Sequence, residues 1–161
     1  MRPFIVLIAL VASVQSMAEI SADDMRVIEL YLEQRTIELE VSEYTDARRF
    51  YIGNMVGDES EDVVVQYTLE GFYGGNNYYY LLAVFEQTAE GIEFRSDMVV
   101  GGKGYRGFMS GVIVDKLLTL DTSFSLPADP TCCPSGIGKA YFYVNWREEL
   151  SELNVSPQRL P

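Results

Sequence analysis

The chain of 161 residues carries 12 basic and 24 acidic side chains, a formal net charge of −12, and no histidine. That balance argues against nucleic acid as a partner, because phosphate binding needs a basic footprint, and it disfavours an anionic membrane surface. Without histidine the usual general base, the usual metal ligand and every Ser–His or Cys–His pair are missing, and the common zinc sites go with them.

The first 18 residues, "MRPFIVLIALVASVQSMA", place Arg2 ahead of an apolar run from Phe4 to Val14 and small residues at Ser16 and Ala18. This is the layout of a secretory signal peptide cleaved after Ala18. The run falls short of the ~20 apolar residues that span a bilayer. The chain is therefore expected to be exported, with residues 19–161 forming a single domain. After cleavage no membrane association is expected. A basic periplasmic or extracellular protein is the partner that the acidic charge would attract over distance.

In the mature part, "SADDMRVIELYLEQ" offers Ser21 as an N-cap with Asp24 three residues on, and Met25, Ile28 and Leu32 recur at helical spacing. The period then changes. "TIELEV" alternates Ile37, Leu39 and Val41 against Glu38 and Glu40, which predicts a half-buried strand over 36–41. Seven further strand-like runs follow, from "RRFYIGN" to "KAYFYVNW", separated by Gly, Asn or Asp-bearing turns such as "GDES", "GGNN" and "GGKG". Short connections favour antiparallel neighbours. The expected fold is α+β: an N-terminal helix packed on an antiparallel β-meander of about six to eight strands. "SPQRLP" reads as a loose C-terminal tail.

Four stretches carry chemistry. "GNMVGDESEDVVVQYTLEG" resembles the Asp-rich loop-then-strand unit of FG-GAP and similar calcium-binding repeats, D-x-[DN]-x-D-G-x-x-D before a V-V-V strand. Asn54, Asp58 and Asp62 fall on ligand positions, while Val56 replaces an oxygen ligand and Glu59 the turn glycine. Calcium takes 6–8 oxygens, so the alternatives are a hairpin turn of similar shape and a working calcium site. "VVGGKGYRG" sets glycines around Lys103, Tyr105 and Arg106, where backbone amides and two cations can converge on an anion. The alternative there is a turn whose cations pair with neighbouring acids. It is not a Walker A loop, which requires a following helix.

"GFYGGNNYYYLLAVF" projects Tyr78 and Tyr80 to one face with Leu82 and Val84, and Tyr79 to the other with Leu81 and Phe85. Such tyrosines serve either cross-strand packing or a contact surface. "DPTCCPSG" holds both cysteines, Cys132 and Cys133. In an oxidising compartment the choices are a vicinal disulfide, two thiols or bridges to another chain, and the vicinal bridge is the expectation. A redox catalyst is not expected, since there is no C-x-x-C and nothing nearby to lower a thiol pKa.

The order of "GDESEDVVVQYTLEG", "GGNNYYYLLAVF", "VVGGKGYRG" and "DPTCCPS" resembles a set of small exported bacterial proteins of uncharacterised function, over most of Ala47 to Ser135. The resemblance implies a Gram-negative envelope protein and brings no activity with it. Two functions follow as expectations. The first is a non-catalytic binding or inhibitor-type protein without a cofactor. The second is a calcium- or anion-binding module using the 54–62 or the 101–107 loop.

Overall fold

The computed structural model describes residues 20–57, 60–130 and 133–153. Residues 1–19, 58–59, 131–132 and 154–161, among them Asp58, Glu59 and Cys132, lie outside the described residues. Helix α1 spans Ala22–Leu39. The Asp24 amide donates to the Ser21 hydroxyl oxygen at 3.1 Å, and that hydroxyl donates to the Asp24 carboxylate at 2.6 Å, which fixes the first turn. Ile28 and Leu32, one turn apart, are the fully buried pair of the helix.

The strand expected over 36–41 does not form. The helix continues through Leu39 and ends at Glu40, which takes the left-handed conformation at φ 54°. There the Glu40 amide donates to Ile37 and the Val41 amide to Thr36. Extending an established helix needs no new nucleus, and contacts of Glu38 with Gln34 and Arg35 support the last turn. The alternation was misleading because Ile37 is not buried at all: it is 70% exposed.

Nine strands follow in one antiparallel sheet, so the protein is mostly β with a single helix over the sheet. Short β1 (Ser42–Glu43) and β2 (Arg49–Gly53) share one edge of β3 (Asp62–Phe72), separated by a 3₁₀ turn at Thr45–Ala47. The chain then meanders through β4 (Asn77–Thr88), β5 (Gly91–Gly102), β6 (Arg106–Val114), β7 (Leu117–Phe124), β8 (Gly136–Val144) and β9 (Leu150–Glu152). Strands β5 and β6 pair only at Gly102 and Arg106. The sheet folds over at that corner into two halves.

The halves face each other. Val64, Leu82, Val84 and Val100 from the first half meet Leu118, Leu120, Ala140 and Phe142 from the second in one core. The opposite face of the first half holds Val63, Val65, Tyr67, Leu81, Ala83 and Phe85 against Ile28 and Leu32 of the helix. Helix, first half-sheet and second half-sheet thus make three layers. Strands β3 and β4 form the middle one, and all eight residues from Asp62 to Leu69 are buried. The parity of Leu81, Leu82, Val84 and Phe85 is the one their alternation predicts. Two contacts seal the far side. Leu150 donates its amide to Ser96 Oγ at 2.9 Å, and Gly53 leaves room for Ile113, whose Cβ would lie 2.8 Å from a methyl placed on that glycine.

Candidate functional site

The corner between the two halves carries a cleft of about 270 Å³. Tyr78 and Tyr80 at the start of β4, the β5–β6 turn, Ser123 and Ser125 near the end of β7, and Pro134 in the β7–β8 loop line it. Three stretches far apart in sequence, the tyrosine run, the glycine-rich loop and the cysteine-bearing loop, therefore meet at one place.

The glycines explain how the turn reaches β4. Tyr105 donates its amide to Gly102 at 3.1 Å, closing a four-residue turn with Gly104 at φ 73° in its third position. The Lys103 amide donates to the Tyr78 carbonyl at 3.1 Å. A methyl on Gly102 would sit 2.5 Å from that same carbonyl oxygen, so no larger residue lets the turn lie so close.

The two cations of the loop have different fates. Arg106 forks onto Glu152, with both Nη–Oε distances 2.6 Å, and its Nε donates to the Val100 carbonyl. Its guanidinium also lies 5.0 Å from the Tyr105 ring centre and 5.7 Å from that of Phe142. With 13% of its side chain exposed, Arg106 clamps β5, β6 and β9 at the corner. Lys103 is exposed, and its ammonium rests 2.5 Å from the side-chain oxygen of Asn76 rather than on a carboxylate. Of the sequence-derived anion set, Lys103 and the 62% exposed Tyr105 remain open to a ligand.

Asp129 holds the β7–β8 loop. Its Oδ2 accepts the amides of Leu126 and Ser135 at 2.7 Å each, and its Oδ1 accepts the Ser135 hydroxyl at 2.6 Å. The Ser135 hydrogen bond, helped by the two amides, keeps this carboxyl below its ordinary pKa. The Cys133 amide donates to Pro130 at 3.0 Å inside this span. The disulfide expected between Cys132 and Cys133 falls partly outside the described residues. Tyr73 stands 93% exposed at the β3–β4 tip with φ 58°, a conformation uncommon for a residue other than glycine.

Of the three residues expected on calcium-ligand positions, Asn54 and Asp62 are among the described residues. Asp62 is fully buried, and its carboxylate accepts the amides of Met55 at 2.6 Å, Val56 at 2.9 Å and Gln87 at 3.0 Å. Asn54 keeps its Oδ1 buried, and Asp58 lies outside the described residues. Since Asp62 already spends both oxygens on backbone amides, millimolar calcium is expected to leave the thermal midpoint unchanged in differential scanning fluorimetry. A saturable rise that magnesium does not reproduce would reverse this expectation.

A larger hollow of about 420 Å³ lies between α1 and β1. Two of its three acids, Glu29 and Glu43, pair with Arg48. It is a joint between helix and sheet edge. Sequence reasoning missed Asn76, Ser123, Ser125 and Glu152. Glu152 lies on a three-residue strand too short to show a period, and the serines become neighbours of the tyrosines only through the fold at the corner. Among the described residues no helix is long and apolar enough to cross a membrane. No protein-family model, curated protein or solved structure matches the chain.

Proposed function

We propose that the chain is an exported, non-catalytic binding protein that recognises its partner with the cleft at the sheet corner and the loops around it. One observation carries this reading. Three loops from distant parts of the sequence converge on a hollow lined by tyrosine, serine and glycine together with Lys103, Arg106 and Pro134, set at the end of a three-layer scaffold. Tyrosine gives wide contact area at low entropic cost, and serine and glycine give adaptable hydrogen bonding, the composition that antibody loops use. The missing histidine and the commitment of Arg106 to Glu152 fit recognition better than turnover. The leader-like N-terminus supports a periplasmic or secreted location, and the net charge of −12 keeps such a protein soluble.

Affinity capture from an envelope extract tests the reading, comparing the native protein with a Lys103→Ala/Tyr105→Ala variant. Both side chains are exposed, so the variant is expected to keep its stability within about 0.5 kcal/mol. Whatever the native protein enriches should be lost from the variant. Equal enrichment by both proteins would move recognition away from the corner. Release of the partner from both by salt would return it to the acidic surface and a basic protein.

A further inference from the structure

Resting on that reading, we infer that the corner cleft is built for one carboxylate-bearing sugar unit of a polysaccharide. Five of the lining residues, Tyr78, Tyr80, Tyr105, Ser123 and Ser125, carry a hydroxyl, a group that can both donate and accept. A polyhydroxylated ring is the ligand that matches such a set. Tyrosine rings add flat apolar faces against which the C–H face of a sugar can lie. Tyr78 and Tyr80 already stand edge to face at 5.4 Å, which presents two ring orientations in a short span.

Size and shape agree. At about 270 Å³ the hollow lies below the ~300–1,000 Å³ of sites that engulf whole small molecules. It suits a single ring of a longer chain that continues over the exposed Tyr105.

A peptide fits less well. Extended peptides are held by adding a strand to an open edge or by filling an apolar groove. Here both edges of β4 are taken at Tyr79 and Tyr80, by β3 on one side and β5 on the other. The aliphatic contribution to the lining is Pro134 alone.

The charge narrows the class further. Lys103 is the cation left over once Arg106 has forked onto Glu152, and Glu70 lies cross-strand from Tyr78. Lys103 lines the cleft and, unlike Arg106, rests on a neutral partner, so it has one charge to give a ligand carboxylate, while Glu70 disfavours a second negative charge. A phosphate dianion is more often met by several cations or a helix N-terminus. The ammonium now rests on Asn76, a neutral partner that a uronate carboxylate would displace.

The test is a ¹H–¹⁵N titration of the mature protein with three probes: trigalacturonate, cellotriose and triglutamate. Trigalacturonate should move the amides of Tyr78 to Tyr80, Lys103 to Tyr105, Ser123 and Ser125, and cellotriose should move the same set with about tenfold weaker affinity, the ~1.4 kcal/mol of one ion pair. Lys103→Ala should erase the difference between the two sugars without displacing the bound set. If triglutamate moves these amides and neither sugar does, the saccharide inference fails while the cleft stands as a recognition site. If all three probes leave the corner unmoved, both the inference and the reading beneath it are overturned.

Discussion

Asp62→Ala is expected to cost about 3–5 kcal/mol, a large part of the ~5–15 kcal/mol that holds a domain of this size together. The carboxylate is fully buried at the first residue of β3 and accepts three backbone amides from two segments, Met55 and Val56 before the strand and Gln87 near the end of β4. An alanine would leave these donors without their acceptor, the Met55 amide in a buried place and those of Val56 and Gln87 in part-buried ones, and each unmet buried group costs about 1–3 kcal/mol. The urea midpoint should fall with the slope unchanged. Asp62→Asn keeps one carbonyl acceptor and turns the other oxygen into a donor facing an amide, so it should fall between the two. A loss under about 1 kcal/mol for alanine would show that the loop re-pairs its amides with solvent, and the buried carboxylate would lose its structural importance.

A second large effect is expected at the seam between helix and sheet. Asp97 Oδ2 accepts the Tyr31 hydroxyl at 2.7 Å and the Tyr67 hydroxyl at 3.2 Å, and Arg35 Nη2 reaches it at 3.0 Å. Tyr31 also stacks on Phe94 at 4.4 Å, which locks its ring against β5. Burial above all pushes both tyrosines upward, Tyr67 from 10.0 to about 12 and Tyr31 further. The Tyr67 charge adds to the rise at Tyr31, and at Tyr67 the hydrogen bonds with Tyr31 and Arg35 offset part of it. A raised pKa means the folded state holds its phenol protons more tightly than the unfolded chain does. Stability is therefore fully present below pH 10 and is lost as pH climbs from 10 towards 12. Each pH unit in that window removes less than the ~1.4 kcal/mol per tyrosine of a buried, independent phenol, because Tyr31 is only half-buried and shares Asp97 with Tyr67. Chemical denaturation at pH 8 to 12 measures the slope. A stability that stays flat to pH 12 would contradict the burial of these hydroxyls. At neutral pH, Asp97→Ala should cost about 2–4 kcal/mol, because two phenols and a guanidinium lose their common acceptor.

The strands were legible because their ends are marked chemically. Glycine, asparagine and aspartate stand at nearly every turn; the alternation in β7 survives as an alternation of burial, and in β4 as a split of successive residues between the two cores. The helix end was not legible. Ile37 and Leu39 lie at a spacing that fits a strand, and only the backbone at Glu40 shows that the helix had not yet stopped. The fold at β5–β6 was hidden for another reason. "GGKGYRG" reads as an ordinary hairpin turn, and nothing local says that pairing ends after Gly102 and Arg106. That bend is what carries Ser123, Ser125 and Glu152 to the tyrosines, so the cleft could be anticipated as three separate motifs but not as one place. Arg106 shows the same limit. Its chemistry was readable, its partner was not, because Glu152 lies 46 residues further along the chain.

The double burial of β3 also constrains how this sequence can change over time. A strand with one wet face tolerates polar replacements at every second position, and its family history drifts along that face. From Asp62 to Leu69, β3 has no wet face, since one side meets the helix and the other the second half-sheet. Replacements there are limited to side chains of similar volume, and Gln66 is bound as well by the hydrogen bond it accepts from Tyr51 at 2.9 Å. Variation is instead admitted at the rim: the exposed outer row of Val112 and Val114 on β6, Ile137 on β8, and the loops about the corner. Lineages descended from such a chain would keep the middle layer nearly fixed while the rim diversifies, so that one scaffold can acquire new specificities without refolding.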